Sequence, residues 1–174
     1  MKITLTGAHR TGKTTLTEKL QEALPEYEVR DEAFYELEET GFAFSEIPSP
    51  EEYLILLEHS IEQITAAENE NIIFDRCPLD MLAYILATDD FESINIKTLY
   101  ERVKDAISET DLLVFVPVEV PDRIGCPSSE LPELRQKVNE ILNDWVWDFN
   151  TNAIEVSGSP SVRRDQIIRI IKQY

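Results

Sequence analysis

The sequence predicts an α/β fold, a three-layer α/β/α sandwich around a five-stranded parallel sheet. Three observations predict it. Short strand-like runs alternate with longer helix-like ones along the chain, the pattern of a parallel sheet covered on both faces. The run Leu112-Leu113-Val114-Phe115-Val116-Pro117-Val118 is almost wholly apolar, as a strand buried on both faces must be. The first apolar run also leads into a glycine-bounded loop that opens into a helix.

The elements follow in order. Met1 to Thr6 is the first strand, and Thr14, Thr15 and Leu16 open a helix that ends near Leu24-Pro25. Glu26 to Arg30 is a short second strand, and Asp31 to Thr40 a helix stopped by Gly41. Residues 41–50, with their two prolines, form a loop. Ser49-Pro50-Glu51-Glu52 opens a long helix, because proline suits a first turn and acids suit the positive helix end. Leu54, Leu57, Ile61 and Ile64, extending to Glu68, follow its 3.6-residue period and mark its inward face. Asn71 to Asp75 is the third strand, ending in an acid. Pro78–Ala87 and Ile96–Glu109 are helices, and 112–118 is the fourth strand. Leu131 to Asn150 is a helix with Leu134, Val138, Ile141, Leu142 and Trp145 on one side. Ala153–Val156 and Val162–Lys172 are the last strand and helix.

The whole chain sets further bounds. Its 174 residues make one domain, 1–174, with enough length for a sizeable core. No stretch approaches the ~20 apolar residues of a membrane span. Met1 leads straight into the first strand without the pattern of a signal peptide. Cys77 and Cys126 suggest neither a disulfide framework nor a zinc site. The expected compartment is the cytoplasm. With 16 basic against 34 acidic residues, the net charge of −18 disfavours a long nucleic-acid partner. It still allows a local basic cleft for a small nucleotide.

In open parallel sheets ligands sit beyond the strand C-termini, which singles out five loops. After the first strand, residues 7–14 read G-A-H-R-T-G-K-T, a full match to G-x-x-x-x-G-K-[ST]. In such a loop, Gly7, Ala8, His9, Arg10, Thr11 and Gly12 wrap phosphates with backbone N–H groups, aided by the helix N-terminus. Lys13 reaches the β- and γ-phosphates, the Thr14 hydroxyl holds Mg²⁺, and Thr15 follows it into the helix. After the third strand, Asp75 is placed to hold Mg²⁺, directly or through water, unless it caps the next helix. Arg76 could bind phosphate or brace an acceptor, or pair with Asp80 or Asp31. After the second strand, Asp31 or Glu32 could take a proton from an attacking hydroxyl, or serve the helix start; spacing does not separate the two. After the fourth, residues 118–130 form a candidate lid carrying Arg123, with Arg135 on the next helix as a second cation. After the fifth, Ser157-Gly158-Ser159-Pro160 would lie beside a nucleotide base. Phe34, Tyr35, Phe42, Phe44 and Tyr53 either stack on an acceptor ring or join the core. His59, midway along an amphipathic helix, is expected to be structural.

These features together resemble the nucleoside and nucleotide kinase branch of P-loop NTPases. The closer resemblance is to small bacterial AAA-type P-loop kinases related to the ribosylnicotinamide kinase domain. The stretch I-I-F-D-R-C-P-L-D-M-L-A-Y at 72–84 is similar to that group's D-R-x-P-L-D-x-L-A-Y signature. The resemblance implies the sheet order 2-3-1-4-5, Glu32 as the acid after strand two, and Asp75-Arg76 as the acid–arginine pair. It departs in two places: Phe34 and Tyr35 stand where relatives often carry an arginine, and Pro121-Asp122-Arg123-Ile124-Gly125 lacks a clear lid-arginine pattern.

The expected function is transfer of the ATP γ-phosphoryl group, with Mg²⁺, to a nucleoside- or nucleotide-like small molecule. Lys13, Glu32, Asp75, Arg76 and Arg123 are the expected catalytic set, and a homodimer is compatible with it. Two alternatives stay open. One is a nucleotide-dependent ATPase or binding module, for which Asp122 to Gly125 offers a D-x-x-G match without an N-K-x-D partner motif. The other is a polynucleotide 5′-hydroxyl kinase, against which the acidic charge counts.

Overall fold

The computed structural model describes residues 1–88, 94–149 and 151–173. Its sheet comprises β1 (Lys2–Thr6), β2 (Glu28–Arg30), β3 (Ile72–Asp75), β4 (Leu112–Phe115) and β5 (Asn152–Glu155). The order is β2-β3-β1-β4-β5, and every neighbouring pair is parallel. The helices are α1 (Lys13–Ala23), α2 (Ala33–Glu39), α3 (Pro50–Thr65), α4 (Pro78–Ala87), α5 (Ile96–Ser108), α6 (Pro132–Trp145) and α7 (Pro160–Ile171). Strand alternation divides the core in two. Ile3, Leu5, Ile73, Leu112 and Val114 face α1 and α7, packing on Leu16, Leu20 and Ile167. Ile72, Phe74, Leu113 and Phe115 face the thicker layer of α3 to α6.

Local chemistry sets the element ends. Ser49 and Glu52 close a capping box at α3, with Pro50 in the first turn. Ser159 accepts the Val162 N–H, so α7 begins at Pro160, ahead of the expected Val162. β4 stops at Phe115, short of the expected Val118. Val116 N–H still reaches Thr6 O at 2.8 Å, but Pro117 has no N–H to continue the ladder. β2 begins at Glu28 rather than Glu26, and β5 is shifted one residue earlier than expected. α2 starts at Ala33 rather than Asp31, and α6 ends at Trp145. The expected end of that helix, Asn150, lies outside the described residues.

α3 differs in a more telling way. Its buried residues are Tyr53, Leu56, Leu57, Ser60 and Ile64, while Leu54 and Ile61 lie at the edge of the face and Glu68 is exposed beyond the helix. The helix packs against α2, α4 and α5, so other helices select its inward stripe. No helix among the described residues is long and apolar enough to cross a membrane.

Candidate active site

The loop between β1 and α1 is held from below by Asp80, on the first turn of α4. This fully buried carboxylate accepts the Gly7 N–H at 2.7 Å and the Thr6 hydroxyl at 3.2 Å through Oδ1, and the Cys77 N–H at 2.9 Å through Oδ2. The α4 cap and the β1–α1 loop therefore share one anchor. Gly7 is required here by packing. A Cβ on it would stand 2.4 Å from Val116 O, in the backbone leaving β4. Gly12 caps α1 in the left-handed region at φ 88°.

Lys13 is buried and aims its ammonium back into the loop, donating to Gly7 O at 2.7 Å and Ala8 O at 2.6 Å. Burial first, and the Arg76 charge second, lower its pKa to about 8. Asp75, at the end of β3, is 6% exposed, and its Oδ1 has no hydrogen-bond partner. Burial raises the pKa of this carboxyl, while Lys13, Arg76 and the Thr14 hydroxyl beside it oppose that rise. A buried carboxylate oxygen left without a partner beside a threonine hydroxyl is a hard-oxygen donor set that fits Mg²⁺, which prefers one or two carboxylates plus phosphate oxygens and water. The helix-cap alternative for Asp75 does not hold, because Cys77 caps α4.

Across the loop, Arg76 Nε lies 2.7 Å from Glu32 Oε1, and its Nη1 donates to Gly7 O at 3.3 Å. Arg76 sits at φ 88°, a left-handed conformation that a non-glycine residue holds only under tight constraint. Its partner is thus Glu32 rather than Asp80 or Asp31. Asp31 is exposed, and its carbonyl accepts from the Gln63 side chain at 3.0 Å. Of the two acids after β2, Glu32 enters the cleft.

Two cavities flank the loop. The larger, about 520 Å³, lies toward β4 and β5 and is lined by Thr15, Glu119, Arg123, Gly158, Ser159 and Arg163 among others. The smaller, about 320 Å³, lies toward β2 and β3, between Glu32, Arg76, Phe34, Tyr53 and Tyr84. Tyr53 and Tyr84 stack at 5.1 Å, and Phe34 stacks on Phe44 at 4.5 Å. Tyr35 is exposed, and Phe42 packs on Phe44.

Two arginines grip the loop from the β4–β5 side. Arg135 is 5% exposed, donates to His9 O at 3.0 Å and Arg10 O at 2.9 Å, and pairs with Asp122 at 2.5 Å. Arg163, also 5% exposed, donates to Thr11 O at 2.6 Å and pairs with Glu119 at 3.1 Å. Arg135 is therefore a buried brace, not a surface cation. Arg123 is different, with its side chain 64% exposed and 3.1 Å from Glu119. Segment 118–130 lies against the loop. Glu130 pairs with Arg10 at 2.7 Å, and its carbonyl accepts from His9 Nε2 at 2.7 Å. A carbonyl only accepts, so Nε2 carries the proton and Nδ1 accepts from Tyr84 Oη at 2.8 Å. Burial pushes the His9 pKa down, consistent with that neutral tautomer. The D-x-x-G match resolves into a turn, with Asp122 accepting the N–H groups of Ile124 and Gly125. His59 bonds Glu36 at 2.9 Å, away from the cleft.

The fold thus gathers Lys13, Thr14, Asp75, Glu32 and Arg76 at one point and leaves Arg123 at the rim of the larger cavity. Glu119 and Arg163 do not stand out in the sequence, and Tyr84 does so only as the last residue of the 72–84 signature. Arg163 left a faint signal, since an arginine in the first turn of a helix opposes the helix dipole and needs a partner elsewhere.

Residues 2–163 match the model of a family described as AAA domain. No curated protein matches the chain. Among solved structures the chain is similar to deoxyadenosine kinase from M. mycoides with dCMP and a flexible dCDP bound, at TM-score 0.65 and 20% identity over 100% of both chains. It is similar to thymidylate kinase from Candida albicans, at TM-score 0.65 and 20% identity over 99% of this chain and 91% of that one. Shikimate kinase from Aquifex aeolicus matches at TM-score 0.62 and 17% identity, over 99% and 97%. At these identities the likeness is one of fold.

Proposed function

We propose, from the premise that the chain belongs to the AAA domain family, that it is an ATP-dependent phosphotransferase acting on a nucleoside- or nucleotide-like small molecule. One observation carries the reading. The Glu32–Arg76 pair and the Lys13, Thr14 and Asp75 cluster meet at one loop, Lys13 and Arg76 both donating to the Gly7 carbonyl, with a cavity on either side. Kinases in the same fold, acting on deoxyadenosine, thymidylate and shikimate by their names, support the reaction class.

In this reading ATP occupies the larger cavity, with its base near Gly158 and Ser159 and its phosphates along the loop N–H groups. Lys13 leaves the Gly7 and Ala8 carbonyls to hold the β- and γ-phosphates. Thr14 and Asp75 would hold Mg²⁺, which when bound neutralises charge on the β- and γ-phosphate oxygens. Glu32 accepts the acceptor's hydroxyl proton as that oxygen bonds to the γ-phosphorus. The bridging P–O bond to the β-phosphate breaks, and ADP leaves. Arg76 orients Glu32 and lends charge to the transferring group, and Arg123 can approach it from the rim.

The test is ATP consumption with Mg²⁺ across a panel of nucleosides and nucleotides. Acceptor-dependent turnover that Lys13→Ala abolishes supports the reading. Hydrolysis indifferent to every acceptor points to an ATPase or binding module, and labelling of a short oligonucleotide points to a polynucleotide kinase.

A further inference from the structure

Resting on that reading, we propose that the acceptor is an unphosphorylated nucleoside and that the smaller cavity rejects nucleotides by charge. The walls around it carry almost no cation. Between Arg30 and Arg76 the chain has no lysine or arginine at all, whereas residues 31–65 alone contain ten carboxylates. α2, α3 and the loop joining them, which form the outer wall, come entirely from this acidic stretch.

The charges that face the cavity can be taken in turn. Arg76 is its one arginine among the described residues, and that guanidinium is ion-paired with Glu32 at 2.7 Å and donates through Nη1 to the Gly7 carbonyl at 3.3 Å. His9, the other basic side chain there, has Nε2 engaged by the Glu130 carbonyl and Nδ1 by the Tyr84 hydroxyl, so neither ring nitrogen is free for a phosphate. Against these stand Glu32, Glu46 and Glu130. Glu130 is matched by Arg10, whereas Glu46 makes no hydrogen bond or ion pair among the described residues.

A phosphate monoester brings about −1.5 to −2 charge at pH 7 and needs arginine or lysine donors to replace its water. Among the described residues the one guanidinium lining this cavity already has its charge countered by Glu32, and the exposed Glu46 carboxylate adds repulsion. A neutral nucleoside meets the opposite conditions. Its ring finds the aromatic and apolar side chains of Phe34, Tyr53, Tyr84, Leu56 and Met81, and its hydroxyls find Glu32. Rejection by the unpaired Glu46 carboxylate is specificity by repulsion, independent of how well the ring fits.

The experiment is calorimetric titration of the full chain with matched pairs of nucleosides and their 5′-monophosphates, with Mg²⁺ and an unreactive ATP analogue filling the larger cavity. At least one nucleoside should bind at least tenfold more tightly than its monophosphate. Glu46→Lys, checked for folding by its thermal transition, should narrow that gap. Equal or tighter binding of the monophosphate in every pair, or no nucleoside bound at all, overturns the proposal. The same pairs, offered with ATP, keep the two readings apart. Transfer to monophosphates alone keeps the phosphotransferase and discards the nucleoside, whereas selective nucleoside binding without transfer keeps the selectivity and discards the reaction.

Discussion

The carboxylate of Asp80 accepts the backbone N–H of Gly7 at 2.7 Å, joining the start of α4 to the loop that opens the site. The same side chain also takes the Cys77 N–H and the Thr6 hydroxyl, and it has no exposure to water. Replacing Asp80 by alanine leaves three buried donors without an acceptor and should destabilise the protein by about 3 kcal/mol or more. Asp80→Asn keeps one acceptor oxygen but turns an amide toward the Cys77 N–H, so its loss should be smaller. Urea unfolding of both variants checks the ranking, and equal midpoints for wild type and Asp80→Ala would falsify the anchor.

Gly7→Ala should cost about 2–4 kcal/mol, because its Cβ would meet Val116 O at 2.4 Å and backbone, not a flexible side chain, must move. Thermal unfolding measures this. A variant as stable as the parent would mean that β4 and the loop part without strain.

Lys13 gives a prediction with the opposite sign. Burial, then Arg76, hold its ammonium at about 8 against an ordinary 10.5. The folded chain therefore binds that proton less tightly than the unfolded chain, and the charged form weakens the fold below pH 8. The penalty fades between pH 8 and 10.5, where only the unfolded chain keeps the proton. Lys13→Met should be more stable than the parent at pH 7, and its advantage should shrink by at most about 3 kcal/mol by pH 10.5. Urea midpoints at pH 7.5 and 9.5 test it, and a difference that does not change with pH sinks it.

Asp122 titrates at the acid end. The Arg135 guanidinium donating to it holds its pKa at about 2, against 3.8 ordinarily. Its contribution to stability is complete above pH 3.8 and is lost as pH falls through 2. Asp122→Asn should therefore be less stable than the parent at pH 5, with the two converging near pH 2. Parallel curves over that range would remove Asp122 from the acid limb.

Glu32→Gln should lower kcat by about 10²–10⁴ while leaving the KM for ATP nearly unchanged, since Glu32 lies in the smaller cavity. Steady-state kinetics with a nucleoside acceptor decides this. A rise in the KM for ATP with kcat intact would make Glu32 only a partner for Arg76.

Much of this molecule is legible in its residues. The α3 start at Ser49-Pro50, the α4 span and the glycine-bounded loop depend on neighbours a few positions apart, and the expected elements agree with the structure there. Tertiary packing overrode local pattern elsewhere. The inward stripe of α3 turned toward Tyr53, Leu56 and Ser60 because helices lie on several sides of it. Arg135 reads as a candidate cation beside the lid and Arg163 as an ordinary helix residue, and only the fold shows both buried against loop carbonyls.

The sequence by itself determined that a G-x-x-x-x-G-K-[ST] loop follows the first strand of a parallel α/β sheet, because that motif and the strand–helix alternation are local. Which acid after β2 enters the cleft, and which partner Arg76 takes, were decided only when β2 and β3 came side by side. That choice lies in distances between residues far apart in the chain: Glu32 and Arg76 meet at 2.7 Å, while Asp31, one position away, points to solvent.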